Sequence, residues 1–398
     1  MFTIGGFDNV ARGDWHDWRW QKSNSIAIYP GDRSKENKLG ILREMLGDDG
    51  INWEIMSDLA EVWAINITPH LAVQLHRLEV AGYTEWRRQI LRFVLPTAER
   101  TNIIVPVTFV REGMGTEERR KTAYTNLPPN ISRLYDNRVV VRVSTMCAVA
   151  CQFCFRQHDV AEHHELEAQT RTGVENAVAY VRDWNRDNPS RRIRDVILTG
   201  GDPLSLGDDT LVRILSAFRA IEGVELLRID TKYPAVLPQR ITTTLAQALK
   251  KCQPVVFQIH FTHPGELCDE AKRACDTLAE HGYMLTSHTP LLQGVNDDRE
   301  ILKELFWKLL LMRVRPYYLI QSIVTPGTEH FRVPVEKALD LMKFLEADLD
   351  GPAHPHLILY TTGGGGKVHL QPQYLKKRTQ EGWQVETWLG NDFYPDPR

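Results

Sequence analysis

From residue 139 onward the chain keeps repeating one unit of construction, a short β-branched run followed by a stretch long enough for a helix. The runs are VVVRVS (139–144), DVILTG (195–200), LLRIDT (226–231), VVFQIHFT (255–262), YMLTSHTP (283–290) and RPYYLIQS (315–322). Such alternation implies parallel strands joined by right-handed crossovers, in either a barrel or an open doubly wound sheet. Six units favour an α/β fold of the TIM type, a partial (β/α)6 barrel. In both geometries the chemistry belongs to loops at the C-terminal strand ends. A seventh run, HLILYTT (356–362), leads into Gly363–Gly366 and Lys367. Upstream, LGILREMLG, SDLAEVWAI and TEWRRQILRFVL space apolar residues by three and four, with Pro69 and Pro96 as breaks, which predicts an N-terminal helical cap. The expected division is therefore a helical region over 1–130, the barrel over 131–330, and a C-terminal segment over 331–398.

With 48 basic against 51 acidic residues and a formal net charge of -3, the chain offers no one-signed field for nucleic acid or anionic membrane. No window approaches the roughly eighteen apolar residues of a membrane span, and the start MFTIGGFDNVARGDWHDWRW lacks a signal-peptide pattern, so a cytoplasmic location is expected. Six cysteines are too few for a disulfide scaffold in 398 residues. Three of them crowd into CAVACQFC as Cys147, Cys151 and Cys154, directly after the first strand.

Crowded thiols in a reducing compartment bind metal. The spacing lets one loop wrap three thiolates around a face of an iron–sulfur cube and leave the fourth iron open, and an open iron can chelate the amino and carboxylate groups of a small molecule. The plain alternative is a zinc site or three buried thiols. Structural zinc normally takes four protein ligands, and the nearest histidines, His158, His163 and His164, lie beyond the loop. The position after strand one, with Phe153 before the third cysteine, resembles the radical S-adenosylmethionine superfamily, which implies a [4Fe–4S] cluster and S-adenosylmethionine as cofactors. By that resemblance Gly200, Gly201 and Asp202 of LTGGDPL approach the cofactor's amino group, and Asn296 of LLQGVND its carboxylate or ribose. His260 and His263 close the fourth strand, either as cofactor contacts or as hydrogen-bonded structural histidines.

The glycine run before Lys367 lets backbone pass a planar group and brings an amine to it, as pyridoxal phosphate requires. A phosphate loop would instead need Lys-Ser/Thr, and Val368 follows here, while taken by itself the run equally suits a flexible turn. RRQILRFVLPTAER, LYDNRVVVRVSTMC, GGDPL, YPAVLPQRIT, HFTHP, LLQGVND, RVRPYYLIQ, EHFRVPV and GGGGK together resemble the lysine 2,3-aminomutase family over nearly the whole chain. That resemblance implies a radical S-adenosylmethionine barrel with a C-terminal pyridoxal phosphate-binding extension. It makes Lys367 the lysine that carries the coenzyme, Arg138 the contact to its phosphate, and Arg156 the clamp on the substrate α-carboxylate. The last role suits a permanently charged bidentate guanidinium. The implied reaction moves the α-amino group of an L-α-amino acid to Cβ. Implied partners are a small amino acid, an electron donor such as flavodoxin or ferredoxin, and further copies in a dimer or tetramer.

Two positions depart from the lysine-specific pattern. Ile323 and Tyr360 stand where lysine enzymes place the aspartates that hold the ε-ammonium, and Ile323 does not supply the cation of glutamate-acting relatives. A buried ammonium without a counterion is costly, so the expected substrate has a neutral side chain, with lysine, glutamate, or a deaminating, oxidising or epimerising course as alternatives. Ile320 and Gln152 also replace a family tyrosine and arginine. With no cysteine after Cys275, the interface zinc of bacterial relatives is expected to be absent, and Cys252, Cys268 and Cys275 are expected to serve packing.

Overall fold

The structure is a computed structural model that describes residues 10–101, 127–157, 163–361, 366–387 and 390–395. His158 and Gly363–Gly365 lie outside the described residues, as do the side chains of His163 and His164. Two short N-terminal strands, β1 (Ile26–Ile28) and β2 (Ile65–Ile67), pair antiparallel. A nine-stranded sheet then runs in chain order: β3 (Ile131–Tyr135), β4 (Arg138–Ser144), β5 (Asp195–Gly200), β6 (Leu226–Thr231), β7 (Val255–Ile259), β8 (Met284–Leu291), β9 (Arg315–Gln321), β10 (His356–Tyr360) and β11 (Lys367–His369). The seven strands β4 to β10 are parallel, with β3 and β11 antiparallel at the edges.

Between successive parallel strands the chain crosses over through helices His163–Asp187, Asp208–Arg219, Thr243–Leu249, Asp269–Glu280, Arg299–Leu311 and Val335–Asp348. Strand period two explains how the sheet is used: in β6, Leu227 and Ile229 are fully buried on one face, while Arg228 and Asp230 occupy the other. The sheet curls until its ends meet, because the backbone N–H of Lys367 on β11 donates to the Tyr135 hydroxyl on β3 at 2.9 Å. The partial barrel expected from the alternation is thus the observed architecture.

One apolar core runs from Trp18 to Leu357, so the N-terminal helices pack onto the barrel. Helices Lys35–Leu46 and Thr84–Val94 fall on the expected periodic segments. SDLAEVWAI differs: its helix stops at Ala60, and Ile65 enters β2, where every residue is buried. Pro69 opens a helix, Pro69–Val80, rather than breaking one; its missing N–H is no loss at the first helical position, and Thr68 caps the turn through Leu71 N–H. In the tail, β12 (Leu375–Arg378), β13 (Gly382–Thr387) and β14 (Gly390–Pro395) form an antiparallel sheet. No described helix is long and apolar enough to cross a membrane.

Candidate active site

The cysteine loop leaves β4 at the C-terminal mouth of the barrel and is gripped from two sides. From the N-terminal region, Asn66 Nδ2 donates to Cys147 O at 2.8 Å, Phe93 O accepts from Gln152 N–H at 2.8 Å, and Arg100 donates to both Gln152 Oε1, at 2.6 Å, and Gln157. From the barrel, Gly201 N–H donates to Ser144 O at 2.6 Å and Asp202 N–H to Met146 O at 2.7 Å. A Cβ on Gly200 would meet Ser144 O at 2.1 Å, and one on Gly201 would meet Met146 O at 2.3 Å. The two glycines are there because the backbone of the cysteine loop lies against them.

Cys147 and Cys151 are pushed up in pKa, Cys151 to about 12, first by burial and also by the negative charge of the neighbouring thiolates. Three thiolates cannot be held together here without a compensating cation. Among the described residues, the donor atoms of Asp230, His260 and His288 are the set of three lying within 4.8 Å of one another; the cysteine sulfurs are spread more widely.

Asp202 is buried and spends its carboxylate on the protein, accepting from Leu204 N–H, Lys232 N–H and Thr231 Oγ1. Burial raises its pKa to about 6 despite those bonds. Asn296 is likewise internal: Nδ2 donates to Thr262 O and Pro290 O, each at 2.8 Å, and Oδ1 accepts from Leu292 N–H. Both its amide hydrogens are taken, which leaves none for a carboxylate in this arrangement. His263 caps the start of the 3-10 turn Pro264–Glu266, with Nδ1 accepting from Gly265 N–H and Nε2 facing Gln89 Oε1, and so has the structural part. His260 stays at the mouth, edge-on to His288 at 5.7 Å, its pKa lowered to about 4 by burial and by the charges of Lys232 and Arg156.

Arg156, two residues past the cysteine loop, donates to Thr199 Oγ1 at 3.2 Å and Gly200 O at 3.3 Å at the end of β5. Arg138 opens β4, its guanidinium 4.0 Å over the Tyr135 ring, and its buried Nε has no hydrogen-bond partner. Lys367 reaches the interior opposite Tyr360, its register partner, with Nζ 4.4 Å from the Tyr318 ring centroid and 5.5 Å from that of Tyr360. Burial lowers its pKa to about 8, against the opposing pull of Asp230. Gly366 takes φ +84°, and a Cβ there would meet the Tyr135 hydroxyl at 2.5 Å, so this glycine is required both by conformation and by space. Ile323 is half-buried in the loop after β9.

No family model matches the chain. An L-lysine 2,3-aminomutase of Clostridium subterminale is 32% identical over 375 residues, covering 94% of this chain and 82% of its own. That of Bacillus subtilis is 34% identical over 405 residues, covering 98% and 76%. This chain belongs to the lysine 2,3-aminomutase family. A glutamate 2,3-aminomutase of Clostridioides difficile is 36% identical over 267 residues, covering 67% of this chain and 61% of its own. A radical SAM methyltransferase structure from Sphaerobacter thermophilus aligns with 72% of this chain and 92% of its own at 18% identity and TM-score 0.41. As a member of the aminomutase family the chain is an isomerase.

Beside the residues expected from sequence, this member of the family gathers Tyr135, Asp230 and His288 about Lys367 inside the barrel. Asp230 was legible only as a barrel-facing position of β6, since LLRIDT carries no motif. Asn66 had no signal, and Arg100 only its place at the end of RRQILRFVLPTAER, because what they hold is backbone and a loop glutamine far along the chain.

Proposed function

We propose that the chain is a radical S-adenosylmethionine and pyridoxal phosphate-dependent 2,3-aminomutase acting on an L-α-amino acid with a neutral side chain. The observation that carries this reading is that two distant stretches of sequence, Arg138–Arg156 with the cysteine loop and the segment of Lys367, meet across one barrel interior, where Arg156 and Lys367 both act on Asp230 and Arg138 acts on Lys367. Cys147, Cys151 and Cys154 would hold a [4Fe–4S] cluster, and the buried, otherwise unanswered Arg138 Nε suits the phosphate of pyridoxal phosphate. When bound, the two cofactors supply a carbon radical able to take hydrogen from Cβ and a carbonyl able to hold the amine. Lys367, with its pKa near 8, presents a substantial fraction of neutral amine at neutral pH. Arg156 fixes the α-carboxylate, and the surrounding barrel wall excludes the water that would quench a radical.

Ile323 and Tyr360 support a substrate other than lysine, since neither offers a carboxylate to an ammonium. Burial raises the Tyr360 pKa, so its hydroxyl stays neutral. A cavity of about 530 Å³ bordered by Tyr29, Lys38, Asn66 and Cys147 reaches the cysteine loop from the N-terminal side and supports reduction from there by a flavodoxin- or ferredoxin-like donor. The test is anaerobic reconstitution with iron, sulfide, S-adenosylmethionine and pyridoxal phosphate, followed by a panel of natural amino acids. A β-amino isomer from a neutral amino acid, lost in Cys147→Ala, Cys151→Ala and Cys154→Ala, is the expected result. Faster turnover of lysine than of every neutral amino acid, or full activity in a cysteine variant that has lost its iron, contradicts the reading.

A further inference from the structure

One charged group at the barrel mouth has no task in the aminomutase reading. Asp230 ends the barrel-facing side of β6, and its Oδ1 is buried without a hydrogen-bond partner. The nearest guanidinium on its own strand, Arg228, is already committed: it donates to Asp195 Oδ1 at 2.9 Å and to Gln258 Oε1 at 3.2 Å. That second bond turns the Gln258 amide nitrogen toward His288 Nε2 at 2.7 Å, so this imidazole nitrogen accepts and cannot donate to Asp230. A buried carboxylate oxygen left in this state is costly unless an incoming group supplies a donor.

The neighbours of Asp230 say where that donor would come from. Its carboxylate feels the charges of Lys367 and Arg156, and Tyr360 feels the charge of Asp230. It therefore lies among the groups assigned to the amine, to the α-carboxylate, and to the far end of the substrate. The donor atoms of Asp230, His260 and His288 lie within 4.8 Å of one another, a set that by type would also suit a divalent cation. Arg156, Arg228, Lys232 and Lys367 all act on this set, and each opposes a dication.

We propose that Asp230 reads the substrate side chain and selects one that ends in an N–H or O–H donor, such as a carboxamide, hydroxyl or phenol, over an aliphatic or acidic one. The proposal rests on the aminomutase reading and narrows its substrate class. Ile323, in the loop after β9, and Tyr360, at the end of β10, stand where the resemblance puts the two aspartates of lysine-specific relatives; here the acid is on β6, and an apolar side chain would leave its Oδ1 unpaired.

The experiment uses pairs of similar shape, tyrosine with phenylalanine and glutamine with methionine, on the reconstituted enzyme. It measures kcat/KM for β-isomer formation, and calorimetric binding of the same amino acids to the loaded, unreduced enzyme. The donor-bearing member of the better-accepted pair is expected to be favoured by about 100-fold or more. Asp230→Leu should compress that preference to less than about tenfold, chiefly through KM, and Asp230→Asn should raise the binding of glutamate. Iron and pyridoxyl content of each variant establishes that it has folded and loaded. Equal use of both members by the unmodified enzyme overturns the proposal. So does an Asp230→Leu variant that loses activity equally on both, which would make Asp230 only a charge balance for Lys367. If no amino acid gives a β-isomer the aminomutase reading fails, and the binding ratios still decide the part played by Asp230.

Discussion

Lys367 shows how one residue's chemistry is set by what surrounds it. Burial against Tyr318 and Tyr360 disfavours the ammonium, Asp230 restores part of its stability, and the result is a pKa of about 8. Because the amine reacts only when deprotonated, the rate at which pyridoxal phosphate becomes fixed by borohydride to Lys367 should rise with pH through about 8 and level off above it. Stopped-time trapping with peptide mapping measures this; a midpoint near the ordinary lysine value of about 10.4, or label on another lysine, contradicts the account. The glycine run made Lys367 legible in the sequence, and the CAVACQFC spacing did the same for the cysteines. The task of Asp230 was not legible beyond its barrel-facing position, since a polar residue at alternate positions of a barrel strand is ordinary, and only the finished geometry leaves its Oδ1 unpaired.

At the scale of elements, the turn after β5 is a buttress for the cysteine loop. Gly201 has an ordinary φ, so its requirement is space alone: a methyl there would strike Met146 O at 2.3 Å. Gly201→Ala should cost about 1–3 kcal/mol by overpacking and should release iron from the reconstituted protein. Gly207→Ala, with nothing within 4 Å of the added carbon, should do neither. Thermal melts and iron assay of the pair measure this, and equal iron retention would contradict the buttress. The strands were readable because β-branched runs are bounded by helical stretches and turns. The N-terminal strand β2 was not: WAI continues a helix-like spacing, and its pairing with Ile26–Ile28 depends on a partner nearly forty residues away. The edge strands β3 and β11 are short and carry no run of their own, so the contact that brings the sheet ends together through Tyr135 and Lys367 emerges only in three dimensions.

For the whole molecule, the N-terminal helices do more than cover the barrel, since they share its core and hold the cysteine loop through Asn66, Phe93 and Arg100. Arg100 is fully buried, with its guanidinium 3.9 Å from the Trp63 ring centroid and bonded to Gln152 and Gln157. Arg100→Ala should destabilise by about 3–5 kcal/mol, as loss of a buried, hydrogen-bonded side chain leaves its partners unsatisfied; chemical denaturation checks this, and a change under 1 kcal/mol would deny the helices that part. The central claim is that cysteine loop, Arg156 and Lys367 serve one reaction in one chamber. The most direct test gives the reconstituted enzyme its best amino acid deuterated at Cβ and follows the label by mass spectrometry and NMR. The account predicts deuterium at the former Cα of the β-amino product and at the 5′ carbon of recovered S-adenosylmethionine, with neither in Lys367→Ala. Label lost to water, or a β-amino product formed without label reaching the 5′ carbon, would contradict it.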